Sequence, residues 1–572
     1  MTSTYDLLNE RLTGAFDALV PGSDPVLRSS DRCDYQANGV MGLAKSLGRH
    51  PADVAADIVE RADLADLARV EVAGGGFLNL TLRAEFLNRQ LAVLLEDSRL
   101  GLGVVTEPKT VVIDYSAPNV AKEMHVGHLR GTVIGDALAR MHRFAGHKVI
   151  ARNHIGDWGT PFGMLIEHLL DVGEDVAIAS LSLGDLVSFY QAARVKFESD
   201  PGFAERSRSR VVSLQAGDLE TRRLWRVLVE QSVAYFTKIY AKLDITLTPD
   251  DVVGESSYND HLDDVVTDLD RAGLLVVSNG ARCVFAPGFT NRDGEPLPLI
   301  VQKSDGGFGY AATDLAAIRD RVSTLHGDEL LYVVGAPQVQ HFEMVFAVAR
   351  LAGWLPERVR CEHVAFGHVL GPDRKMLKSR SGETVKLVTM IDEAFERAET
   401  ALVDRGTQLD DVDRSVLAVQ IARAAVKYAD LSTDRQRDYI FDLDRMVAFE
   451  GDTGPYLQYA HARLQSIFRR LGEPWSATGT PFSLEHEAER HLALGLLALP
   501  EAFEAAMRTL QPHRLCGYLF DLAQRFTTFY EACPVLASEG RQRDERLGLC
   551  VLTERTLRLG LSLLGIEAPD LM

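Results

Sequence analysis

One stretch narrows the choice of fold more than any other. Residues 110–151 carry an apolar strand, Thr110-Val-Val-Ile, a loop, a helical pattern from about Gly127 to Phe144, and a second strand, His147-Lys-Val-Ile-Ala. Strand, loop, helix and strand in that order read as a βαβ crossover, and a crossover of this kind requires a parallel sheet.

The rest of the chain is organised around that unit. Residues 1–104 alternate helical patterns with short strands, including Leu67-Ala-Arg-Val-Glu-Val and Phe77-Leu-Asn-Leu-Thr-Leu on either side of Gly74-Gly75-Gly76. They predict a small α+β unit, closed by the turn-rich stretch around Gly101. Residues 105–392 predict a Rossmann-like sheet domain, with a polar, helix-like insertion over about 165–250. Strand signals return at Leu274-Leu-Val-Val, Leu299-Ile-Val and Leu330-Leu-Tyr-Val-Val. From 393 to 572, apolar residues at three- and four-residue spacing predict an all-α bundle, punctuated at Gly451-Asp-Thr-Gly-Pro455 and Gly472-Glu-Pro474. The expected class is multidomain α/β, and 572 residues exceed what one core normally supports.

Composition removes several other classes. No apolar run approaches the roughly 20 residues that span a bilayer, so no membrane association is expected. The first residues lack a basic stretch and an apolar segment and carry acids early, which predicts a cytoplasmic protein. Six cysteines stand far apart with no CxxC pair, favouring reduced core thiols over a zinc site or disulfides. A formal net charge of −20 argues against non-specific coating of nucleic acid, yet leaves room for a local basic face.

Two short motifs carry the chemistry. His125-Val126-Gly127-His128 lies between the first strand and its helix. Backbone N–H groups and the positive end of a helix suit a phosphate there, and Gly127 lets a flat purine lie against the backbone. Lys375-Met-Leu-Lys378-Ser379 lies in a glycine-flanked loop, from which lysines can close over a triphosphate. Either motif alone is also what a surface histidine pair or a solvated basic loop looks like.

Together, HxGH in a first βα turn and KMxKS about 250 residues later resemble the paired signatures of class I aminoacyl-tRNA synthetases, with Leu377 where the class pattern has serine. The stretch from Asp114 to Gly131 resembles the extended first motif of the arginyl family, and Asn153-His-Ile-Gly-Asp157-Trp158-Gly159 its second-strand signature. Gly254-Glu-Ser-Ser-Tyr258, Gly307-Phe-Gly-Tyr310-Ala-Ala-Thr-Asp314, Tyr456-Leu-Gln-Tyr459-Ala-His-Ala-Arg463 and the terminal Gly565–Met572 are similar to the same family, in its order.

That resemblance implies ATP-dependent attachment of L-arginine to its cognate tRNA(Arg) through an arginyl-adenylate. Magnesium would arrive with ATP, with no dedicated protein metal site. It implies catalytic roles for Lys122, His125, His128, Lys375 and Lys378, and ATP contacts from His125, Gly127, His128, Lys375, Lys378 and Ser379. Recognising a guanidinium calls for carboxylates and flat acceptors. Tyr310 and Asp314 share a helical face at i, i+4, and Asp314 is the candidate partner of the guanidinium. By resemblance, Asp114 and Asn119 hold the α-amino and carboxylate end, and Gln338 completes the pocket. Asp157 and Trp158 read equally well as structural. For RNA, the candidates are Phe77 and Asn79 at the tRNA elbow, and Tyr456, Tyr459, Arg463 and Met572 in an anticodon-binding bundle. The expected assembly is a monomer. The rival readings are another HxGH enzyme, either a different class I synthetase or a small nucleotidylyltransferase, and a silent synthetase-like protein that only binds RNA or a protein partner.

Overall fold

The structure is a computed structural model and describes residues 3–572, apart from 31, 160, 183–185, 378–384, 406–409, 473–478 and 481. Lys378 and Ser379 therefore lie outside the described residues.

At the centre is a four-stranded parallel sheet in the order Arg360–His363, Glu329–Tyr332, Thr110–Asp114, Lys148–Arg152. From Thr110–Asp114 the chain crosses through a helix to one side. From Glu329–Tyr332 it crosses through the Val339–Leu351 helix to the other. The crevice beyond the carboxyl ends of these two neighbouring strands is a topological switch point, where open α/β sheets bind ligands. Asp114 and Tyr332 stand opposite each other at its edge.

The crossover helix, Val126–Ala145, is buried almost all round because sheet and C-terminal bundle cover opposite sides of it. Small residues make that possible. A Cβ on Gly135 would come within 2.3 Å of the Tyr115 ring. The helix stops at Gly146, whose φ of 99° a side chain would rarely tolerate.

The N-terminal unit is a four-stranded antiparallel sheet with helices. Its longest hairpin pairs the edge strand Ala68–Ala73 with Phe77–Leu82. The insertion is helical, with helices Glu174–Ser182, Leu186–Ser199, Pro201–Gln215 and Leu219–Leu243. The C-terminal part packs long helices, among them Asp411–Leu431, Gly454–Leu471, His513–Ala532 and Gly540–Leu563. The fold class is thus the expected one.

Three details differ from expectation. The strands at Val276–Ser278 and Leu299–Gln302 form a separate antiparallel sheet with Ala281–Val284, outside the parallel one. The edge strand Arg360–His363 carried no apolar run in the sequence. Helical structure begins at Leu387, ahead of residue 393.

Candidate active site

The loop leaving Asp114 is tightly wound. Ser116, Ala117 and Ala121 all take positive φ (75°, 45° and 58°). For side-chain-bearing residues this costs about 1–2 kcal/mol each. Such strain persists only where surroundings hold it, and Asn153 supplies much of that hold. Its Oδ1 accepts the Ala117 N–H at 3.0 Å, and its Nδ2 donates to the Tyr240 hydroxyl at 3.0 Å. Asn119 runs beside Gly156, where a Cβ would lie 2.3 Å from the Asn119 amide oxygen.

His125 and His128 form a reciprocal cap. Nδ1 of His125 accepts the Gly127 N–H, and Nδ1 of His128 accepts the His125 N–H, each at 3.1 Å. The ring centroids are 4.0 Å apart. With Nδ1 accepting, the neutral ring keeps its proton on Nε2 as an outward donor. Burial first, then His125 and Lys122, push the His128 pKa down to about 3. Burial and then Lys122 lower that of His125. Both rings are therefore uncharged donors at neutral pH. Lys122 is exposed, and its ammonium sits 5.3 Å over the Tyr190 ring, on the insertion.

The histidine motif is joined by backbone to the segment that follows the lysine motif. His125 bridges Lys386, with Val126 N–H donating to Val385 O (3.0 Å) and Leu387 N–H to Met124 O (2.9 Å). Lys386 also pairs with buried Glu123 at 2.9 Å. At the loop's other end, Gly371 N–H donates to Lys375 O, leaving Lys375 exposed. Residues 385–387 thus lie directly on the histidine motif.

Across the crevice lies a group of acids. Asp314 projects from the Tyr310–Ser323 helix and accepts from His341 Nε2 at 2.6 Å. Half-buried Glu255 has its pKa pushed up to about 8, by burial first and then by Asp157 and Asp314. Tyr310, 69% exposed, opens the helix, and its hydroxyl pKa is raised by burial and by Glu255. Gln338 caps the neighbouring Val339–Leu351 helix and is exposed.

Asp157 takes a structural post. Its oxygens accept the Ser256 N–H (2.8 Å) and hydroxyl (2.6 Å), beneath a Gly254 whose Cβ would strike them. Trp158 meets Trp225 edge-on.

Asp114 is placed differently from a freely exposed ligand. It is buried, and Oδ2 accepts from Arg321 at 2.6 Å, while Oδ1 is buried with no donor. Arg321, only 1% exposed, lies over the Tyr332 ring at 4.7 Å.

The RNA candidates lie on both outer domains. Phe77 and Asn79 point to the face of the hairpin opposite buried Leu78 and Leu80, and Asn79 accepts from Gln36 at 2.7 Å. Tyr456, Tyr459 and Arg463 share one stripe of the Gly454–Leu471 helix, half-buried rather than free. Tyr456 meets Phe520, Tyr459 lies by Arg405, and Arg463 covers the Tyr530 ring at 4.2 Å. Met572 is partly buried against the bundle.

Glu255, His341, Arg321 and Asn153 were not among the site residues expected from sequence. The first two face Asp314 only because the sheet brings three distant segments together. Among the described residues no cluster of three or more His, Cys, Asp or Glu could hold a metal ion, and no helix is long and apolar enough to cross a membrane.

A switch-point crevice with capped histidines on one wall, joined to the segment that follows the lysine motif, and acids on the other defines the catalytic domain of a class I aminoacyl-tRNA synthetase. Family models agree: "tRNA synthetases class I (R), catalytic domain" matches residues 90–443, "Arginyl tRNA synthetase N terminal domain" residues 6–82, and "DALR anticodon binding domain" residues 457–572. The arginine–tRNA ligase of Thermobifida fusca is 55% identical over 98% of this chain and 97% of its own. The arginyl-tRNA synthetase of Plasmodium falciparum superposes with a TM-score of 0.85 at 29% identity, covering 99% of this chain and 98% of that one. That of Thermus thermophilus gives 0.82 at 26% identity, covering 99% of each. The chain belongs to the arginyl-tRNA synthetases, and its activity is that of an arginine–tRNA ligase. Its class I catalytic domain uses ATP. The nucleotidylyltransferase and silent-binder readings fall away.

Proposed function

We propose a division of labour in which the histidine cap and lysine loop hold ATP while the acid wall holds arginine. The observation that carries it is the backbone seam between His125 and Lys386, which holds the segment following the lysine motif against the histidine cap. An oxygen of arginine's α-carboxylate attacks the α-phosphorus of ATP. The bond from that phosphorus to the bridging oxygen of the β-phosphate breaks, and pyrophosphate leaves. Charge developing on the phosphates meets the Nε2–H groups of His125 and His128, the helix N-terminus, and Lys122, Lys375 and Lys378. Gly127 leaves room for the purine, and Ser379 contributes a hydroxyl. Positioning and fixed donors do the work, with no protein nucleophile. Magnesium arriving with ATP would neutralise charge on the phosphates. In the second step the 2′-hydroxyl of the terminal tRNA ribose attacks the adenylate carbonyl, and AMP leaves.

For the amino acid, Asp314 and Glu255 take the guanidinium, with Tyr310 and Gln338 at its edges. The donorless Oδ1 of Asp114 is left for the α-ammonium, and Asn119 for the carboxylate. The RNA elbow falls to residues 1–104 through Phe77 and Asn79, and the anticodon loop to residues 393–572 through Tyr456, Tyr459, Arg463 and Met572. Residues 105–392 do the chemistry. The partners are arginine, ATP and tRNA(Arg). The protein works as a cytoplasmic monomer, a state in which one chain already carries both RNA-binding ends.

Two measurements test the arginine side. Asp314→Asn removes a charge-assisted partner worth about 1.5–3 kcal/mol, so the KM for arginine in the charging reaction should rise about 10- to 150-fold while that for ATP stays put. An unchanged arginine KM removes Asp314 from the pocket. The second uses pH. Glu255 is a raised acid, protonated in the empty site below about pH 8, and a guanidinium binds its ionised form. Arginine KM should therefore fall as pH rises from about 6.5 and level off near 8, with up to about tenfold per unit at the steep end. Glu255→Gln should flatten that slope. A slope that survives the substitution assigns it to another group.

A further inference from the structure

We propose that His341 is a positioning residue for arginine selection: its Nε2–H holds one oxygen of Asp314, so that the other is presented to the substrate's guanidinium. This rests on the reading of Asp314 as the guanidinium partner and adds a residue that the reading did not contain.

The geometry starts with Phe342. Its ring is buried and packs against Tyr332 (5.1 Å between centroids) and His363 (4.9 Å), which fixes the first turn of the Val339–Leu351 helix on the sheet. One residue earlier on a helix is about 100° of rotation. With Phe342 turned to the sheet, His341 turns to the Tyr310–Ser323 helix and reaches Asp314 Oδ2 at 2.6 Å. A carboxylate only accepts, so Nε2 carries the proton of this bond.

The hydrogen bond joins the two helices that wall the pocket, between the first turns where Tyr310 and Gln338 stand. Asp314 stands close enough to Glu255 that each feels the other's charge, and Asp157 lies beside Glu255 as well. A carboxylate free to turn would swing toward water, and away from Glu255 wherever that group is ionised. A guanidinium is a rigid planar fork that rewards acceptors already in place. Fixing the acceptor beforehand removes an ordering cost from binding. The His341 side chain is 28% exposed and Asp314 15%, so the bond lies at the pocket rather than within the core.

The test is a double-mutant cycle read in the charging assay. His341→Ala is expected to raise the KM for arginine about tenfold, with kcat and the KM for ATP within about twofold of wild type. His341→Gln, whose amide nitrogen falls near Nε2, should bring the arginine KM back to within about threefold. In an Asp314→Asn background, His341→Ala should add less than about twofold, because its effect passes through the carboxylate. If Asp314→Asn alone leaves the arginine KM unchanged, the pocket reading fails. If Asp314→Asn acts but His341→Ala does not, or acts equally in both backgrounds, or depresses kcat and both KM values together, the pocket reading stands and this inference is overturned.

Discussion

Replacing His128 with alanine is expected to slow arginyl-adenylate formation about 10²–10³-fold, the usual loss when one fixed donor to a developing oxyanion is removed. The ring is half-buried behind His125, and its Nδ1 is occupied by the His125 N–H. Only Nε2–H is left to act. Because its pKa is pushed down to about 3, chiefly by burial, the ring gives a hydrogen bond and not a full positive charge. The pH dependence follows with a definite sign. A catalytic imidazolium would lose its proton as pH rises through its ordinary value near 6.5, and the rate would fall. A ring already neutral keeps the rate flat from about pH 6 to 8 with respect to this group. His128→Gln can return a donor but not the cap, and is expected to recover part of the loss. Single-turnover adenylate formation with saturating arginine, ATP and tRNA measures the wild type and both variants. A His128→Ala rate within about threefold of wild type would leave the residue as a helix cap alone.

What could be read in advance was what is encoded locally. The strand Thr110–Asp114, its helix and the next strand lie within 43 consecutive residues, and the period of apolar residues changes where the structure changes. The histidine motif fell in the right turn for the same reason. The Tyr310/Asp314 pair was legible because one helix presents both. Arg360–His363 was not, since a half-buried edge strand made of Arg, Cys, Glu and His has no apolar run to announce it. Pairing across the site was the main loss. Arg321 occupies one oxygen of Asp114, and nothing near residue 114 points to residue 321. Glu255 stood inside a family-like segment, yet only the fold sets it against Asp157 and Asp314. Lys122 illustrates a different limit. Sequence gave its distance from His125 along the chain but not the Tyr190 ring beside it, which comes from an insertion.

Arginine-dependent exchange of pyrophosphate into ATP is expected to be negligible with enzyme, arginine and Mg-ATP alone, and to appear when cognate tRNA is added. The structure offers a physical route for this order of events. The catalytic helix that begins at the histidine motif is fastened to the bundle through a buried pair, Arg130 with Asp430, at 3.3 Å, and Arg130 also donates to the Arg437 carbonyl at 2.7 Å. Farther along, Arg140 joins Asp136 to Asp244. Buried Lys427 donates to the carbonyls of Leu243, Asp244 and Gly565, tying bundle, insertion and C-terminal tail at one point. The N-terminal domain is bound to the bundle as well, Arg490 to Asp34 and Arg555 to the Leu95 carbonyl. RNA gripping both outer domains would therefore act on elements in contact with the catalytic helix. If the competent arrangement makes up about 1% of the free enzyme, RNA must favour it by a factor of about 10⁴ to make it dominant. An interface of many phosphate contacts can supply that much. The control is tRNA lacking its 3′-terminal adenosine: exchange restored by it shows that grip on the outer domains suffices, and no exchange shows that the acceptor end must enter the crevice. Arg130→Ala should weaken charging and stimulation by RNA together, because it removes the buried fastening between helix and bundle. Brisk exchange by the wild-type enzyme without any tRNA would end the coupling argument while leaving the ligase activity intact.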